Sequence, residues 1–185
     1  QRPYSWDKEQ IDVLLEDLFT SYSEDKNTGY YIGNIIVYDK NEKINGQIPQ
    51  FELVDGQQRL TTFALILLAM YCLGLKNGYS VTDTTIQKIK GSLWKYIDRE
   101  YKKDQQTVYL NSIEKTAFKD LYDYCFSAEN KGFDVLKFCE TYNKKNKFEE
   151  RVFTNFKIVY DYLNNVVCAD GKKEEVLNFA DYILQ

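Results

Sequence analysis

The chain contains no histidine. That absence removes Ser-His-Asp and Cys-His nucleophilic catalysis, histidine-zinc centres and histidine-dependent nucleases from these residues. Any chemistry here falls to carboxylates, Arg, Lys, amides, hydroxyls or backbone groups. Cysteine is sparse, and Cys72, Cys125, Cys139 and Cys168 show no CxxC spacing. Such thiols fit a reduced core better than a metal site or a disulfide framework. Long apolar runs are missing too. The longest, Phe63 to Leu73, falls well short of the ~20 residues that cross a bilayer, and no secretory signal pattern opens the chain. These features predict a soluble, cytoplasmic protein with no membrane partner. Neither a Walker A loop nor GxGxxG occurs. Nor is there an excess of positive charge: the formal charge is -4, so the net field does not attract phosphate backbones.

What is present can build a core. Forty-four per cent of the 185 residues are hydrophobic, with sixteen Tyr and eleven Phe, ample apolar area to offset chain entropy in one domain or two small subdomains. The chain opens on Gln1 rather than Met and stops just after its last helical pattern, which predicts a piece of a longer protein.

In "SWDKEQIDVLLEDLF", Ile11, Leu14, Leu15 and Leu18 form a helical stripe, and Asp7 with Gln10 fits a capping box, predicting a helix over about 7–19. "TGYYIGNIIVYD" and "FELVD" read as neighbouring strands joined by a turn-rich connection, with Pro49 near a strand start. After Gly56 comes a helix apolar on nearly all sides, expected to stop at Gly74. The remainder reads as mainly helical. Ile86, Ile89, Leu93 and Ile97 share one stripe; "TVYLN" reads as a short strand; Ser112 caps a segment with Ile113, Ala117, Leu121 and Tyr124 on one face. Two more helices follow, one over about 148–167 and a last one holding Val176, Leu177, Ala180 and Ile183.

Polarity gathers at the strand-to-helix junction "VDGQQRLTT". A helix amino terminus offers unpaired N–H groups and the positive end of the macrodipole, so such a turn is a ready phosphate site. Gly56 lets a ligand come close. Arg59 adds a planar fork of donors, and Thr61 and Thr62 add hydroxyls. Gln57 and Gln58 can donate to phosphate or orient a water, and Asp55 can hold magnesium or position that water; the catalytic set expected for hydrolysis is Asp55, Gln58 and Arg59, with Gln58 orienting the water. A purely structural alternative stands beside this one: Asp55 and Gln58 have capping-box spacing, and Arg59 can pair with Glu16 or Asp17. At the start of the chain, Arg2 can reach an anion and Tyr4 or Trp6 can stack on a base; equally, Tyr4 and Trp6 can anchor the segment on the core. The lysines at 102, 103, 144, 145 and 147 form local patches or simply solvated faces.

Taken in order, "QRPYSWDKEQIDVLLEDL", "YYIGNIIVYD" and "FELVDGQQRLTTF" resemble the amino-terminal domain family of GmrSD-type modification-dependent restriction endonucleases. The resemblance is dense over 1–75 and loose beyond. It implies an α/β, more strictly α+β, fold: a small ParB/sulfiredoxin-like mixed-sheet domain over 1–76 with its first strands missing, then a helical part over 77–185, truncated at its end. It further implies a regulatory domain that binds and hydrolyses nucleoside triphosphate with magnesium, in a type IV-like restriction or phage-defence protein. The box maps onto Asp55, Gly56, Gln57, Gln58 and Arg59, and the upstream box onto Gln1, Arg2, Pro3, Tyr4 and Trp6. Nuclease chemistry in such proteins belongs to a separate HNH-type domain, in cis or in trans, and DNA is engaged through the full-length protein. The alternative is a module that senses nucleotide or modified DNA without cleaving anything.

Overall fold

The computed structural model describes residues 3–44, 48–96, 106–108, 115–127 and 134–185. Gln1, Arg2, Ile97, Lys102, Lys103, Ser112 and Ile113, all named above, lie outside them. The class is mixed α+β, as expected. In chain order the elements are α1 (Lys8–Glu24), β1 (Ile36–Ile44), β2 (Ile48–Asp55), α2 (Gln57–Lys76), α3 (Thr84–Leu93), β3 (Trp94–Tyr96), β4 (Gln106–Val108), α4 (Lys115–Ser127), α5 (Val135–Thr141), α6 (Lys147–Tyr162) and α7 (Glu175–Ile183). A π turn, Leu163–Val167, extends α6, and a 3-10 turn, Ala169–Gly171, leads toward α7.

The capping box that starts α1 forms as expected: Glu9 N donates to Asp7 Oδ1 (3.2 Å) and Asp7 N to Gln10 Oε1 (2.9 Å). The helix then outruns its predicted end, because Tyr22 continues the buried stripe one turn past Leu18. α2 is the central element. Every residue from Ala64 to Gly74 is buried, and α3, α4, α6 and α7 pack around it. By length and composition α2 passes for a membrane span, with mean hydropathy 1.5, but 72% of that stretch is buried inside the fold.

Two expectations change. Gly74 does not stop α2. It lies within the helix where a Cβ would sit 2.6 Å from Ile86 Cδ1, so glycine there permits the close approach of α3, and the chain turns instead at Gly78 with φ +97°. The α3 helix also ends sooner than its stripe predicts, because Trp94–Tyr96 is extended and pairs antiparallel with Gln106–Val108. Aromatic residues favour strands once a partner is present.

β1 and β2 form an antiparallel hairpin, with Val37 opposite Leu53 and Asp39 opposite Phe51. Its strands run further into the connection than the turn residues predict, and the register shifts between Asp39 and Lys43, around Asn41 at φ 55°. The hairpin leaves Ile36, Val37, Tyr38, Phe51 and Val54 exposed. Its end delivers Asp55 to the start of α2.

Candidate functional site

Gly56 makes the turn from β2 into α2. Its φ is +93°, in the left-handed region, which costs any residue bearing a Cβ about 1 kcal/mol or more. A Cβ would also come within 3.2 Å of Ile35 Cγ1. As N-cap, Gly56 has no side chain to offer, so the first amides of this 20-residue helix, those of Gln57, Gln58 and Arg59, have no side-chain cap. The positive end of a long macrodipole therefore faces a cleft of about 730 Å³ whose lining includes Trp6, Glu52, Asp55, Gly56, Gln57 and Arg59.

Arg59 is held by the protein itself. Its Nη1 donates to Ile32 O (2.8 Å), and its Nη2 pairs with Asp55 Oδ2 (3.2 Å). Gly33, at φ +87°, lies against the guanidinium so closely that a Cβ would fall 2.0 Å from Nη1. The acid partner is thus Asp55, one turn back, rather than Glu16 or Asp17. Because the Asp55 side chain is 61% exposed, this pair stabilises little and can be exchanged for other partners. The lining carries two carboxylates, Glu52 and Asp55, and one guanidinium, so an unaccompanied polyanion is poorly matched here. Among the described residues no group of three acids or thiols forms a metal cage; magnesium, however, is commonly held by one or two carboxylates together with substrate phosphates. Asp55 fits that mode.

Gln58 does not cap α2. Its Oε1 accepts from Ser5 N (2.7 Å) and Trp6 N (3.2 Å), and its Nε2 donates to Pro3 O (3.1 Å). Both ends of the amide are spent on the amino-terminal segment. The same segment is tied to α6 by Asn155 Nδ2, donating to Trp6 O (2.8 Å), and by Arg151 Nη1, donating to Ser5 O. Trp6, half-buried, becomes a fixed wall of the cleft.

Tyr4, Thr61 and Thr62 sit elsewhere than a ligand-binding role requires. Tyr4 is 1% exposed and hydrogen-bonded through its hydroxyl to Thr62 Oγ1 (2.8 Å), and burial pushes its phenol above the usual range. Thr62 Oγ1 also bonds Gln58 O (2.9 Å), and both threonines are buried. These three belong to the core, where the anchoring alternative put Tyr4. Asp55, Gly56, Gln57, Gln58 and Arg59 are brought together at the cleft, Gln58 with its amide already engaged, and Arg2 lies outside the described residues.

Sequence reasoning missed Gly33, Arg151 and Asn155. The isolated glycine in "YYIGNII" was a usable signal of close backbone approach. Arg151 and Asn155 belong to no motif.

Beyond Trp6 and Arg59 lies a second, more apolar cleft of about 460 Å³ between α1 and residues 30–33.

Comparison with curated proteins gives no match. A family model does match, that of the GmrSD restriction endonuclease, N-terminal domain, over residues 1–184. The chain belongs to the GmrSD restriction endonuclease N-terminal domain family, and so to a restriction system.

Proposed function

We propose that this domain binds and hydrolyses a nucleoside triphosphate and thereby regulates a nuclease of HNH type, in cis or in trans, which engages modified DNA. The observation that carries the reading is the uncapped start of α2 at an open cleft, beside an exposed carboxylate and a guanidinium within 3.2 Å of each other. The amides of Gln57, Gln58 and Arg59 donate to phosphate oxygens, and the dipole of α2 favours their charge. Asp55 is the residue that would hold magnesium. Bound there, the metal would neutralise phosphate charge next to Glu52 and Asp55. The exchangeable Asp55–Arg59 pair lets Arg59 give donors to the phosphates. Gln57 and Gln58 both line the cleft. With the Gln58 amide bonded to Pro3, Ser5 and Trp6, the water-orienting role expected of Gln58 passes in this reading to Gln57, and Gln58 acts by fixing Trp6.

The test is phosphate release from GTP, ATP, CTP and UTP with magnesium. Asp55→Ala and Arg59→Ala are each expected to reduce turnover at least about tenfold in folded protein, the scale of one lost electrostatic or positioning group. Unchanged turnover in both rejects the assignment. A ligand-induced rise in Tm with no phosphate produced favours the non-catalytic sensing module instead, a reading supported by the engagement of Arg59 with the protein's own groups.

A further inference from the structure

We propose that the second cleft, across Trp6 and Arg59 from the α2 turn, is the base subsite of the same nucleotide site and is shaped for a base with an exocyclic amino group. The inference rests on the nucleotide reading above. Trp6 and Arg59 line both clefts, so a ligand whose phosphates lie on the α2 amides adjoins the second cleft directly.

Its walls suit a flat apolar ring. Trp6 is fixed through its own backbone by Gln58 and Asn155. Tyr30 is fixed by its hydroxyl, which donates to Asp17 Oδ2 (2.9 Å), and Tyr31 by its bond to Asn34 Oδ1 (2.7 Å). Val13 on α1 and Tyr31 on the facing segment are 54% and 74% exposed, two large apolar side chains on one cleft with nothing over them. Stacking on such aromatic walls accepts any base.

Selectivity comes from the polar groups. Glu9 and Asp17 are carboxylates and only accept hydrogen bonds when ionised. Tyr30 occupies Asp17 Oδ2, which leaves the other oxygen for a ligand. Acceptors of this kind match amino groups and ring N–H donors and oppose carbonyl oxygens. Guanine, with adjacent N1–H and N2–H donors, fits best, and uracil, flanked by two carbonyls, fits worst.

The experiment is calorimetric titration of the whole chain with magnesium and three probes: the β,γ-imido analogues of GTP and UTP, and inorganic triphosphate. Two exposed substitutions, Tyr31→Ala and Val13→Glu, are compared with the unaltered protein after melting curves establish that they fold. The guanine analogue is expected to bind more tightly than the uracil analogue. Each substitution is expected to weaken it about fivefold or more while leaving inorganic triphosphate unchanged. Equal affinity for the two bases, or guanine binding untouched by both substitutions, overturns the base subsite and leaves the phosphate cradle standing. Failure of the unaltered protein to bind either analogue or triphosphate removes the nucleotide reading and the subsite with it.

Discussion

Two glycines set the geometry of the site, each for a different reason. Gly56 supplies the left-handed turn that frees the α2 amides, and Gly33 supplies the space the Arg59 guanidinium fills. Replacing either with Ala is expected to cost about 1–2 kcal/mol from backbone conformation alone, read by chemical denaturation. Gly33→Ala should in addition displace Arg59. A cost below a few tenths of a kcal/mol at both positions would show that the turns are not held as described. The thiols give an independent check on the core. All four cysteines are free; burial pushes the Cys139 thiol up to about 12 and Cys125 higher than usual, while Cys168 alone is partly exposed. Native protein is therefore expected to present one slowly reacting thiol to a disulfide reagent and four after unfolding. Two or more fast-reacting thiols in the folded state would count against this packing.

At the scale of elements, α2 and the β1–β2 hairpin form a contrast. Leu68 is fully buried in α2, and Leu68→Ala is expected to destabilise by about 2–5 kcal/mol. Phe51 and Val54 lie exposed on the hairpin, and polar replacements there should change stability by no more than about 0.5 kcal/mol. Parallel denaturation curves separate the two cases. The helices were legible because buried stripes such as Ile11, Leu14, Leu15 and Leu18 repeat at the helical period and because Asp7 and Gln10 are local partners. What spacing could not reveal was long-range. Gly74 has the look of a helix stop, yet Ile86 packs against it from α3. Trp94–Tyr96 continues a helical stripe until β4 pairs with it. The DGQQR box was visible as a polar junction, but its capping reading failed because the partners of Gln58 lie more than fifty positions away, at Pro3, Ser5 and Trp6.

For the whole molecule, the two ends of the described chain close on each other. Tyr22 donates its hydroxyl to Glu175 Oε2 (2.7 Å), Ser21 and Tyr182 share a hydroxyl bond (2.7 Å), and Tyr182 donates to Thr28 O (2.9 Å). The Tyr22 bond holds the Glu175 carboxyl below the usual glutamate range, with Asn178, Lys26 and Lys172 adding to it against some burial. A carboxyl depressed in the folded state stabilises above its unfolded value and loses that contribution as pH falls through the folded one. Stability is thus expected to decline as pH drops below about 4.5, and Glu175→Gln should flatten that part of the Tm profile. An identical acid limb in the variant would assign the decline to other carboxylates.

The most direct measurement of the nucleotide role is a crystal structure of this chain with magnesium and a non-hydrolysable nucleoside triphosphate. The phosphates should lie on the amides of Gln57, Gln58 and Arg59, with the Asp55–Arg59 pair opened toward them. A nucleotide bound away from the α2 turn, or a cleft left empty at saturating nucleotide with that pair still closed, would refute it.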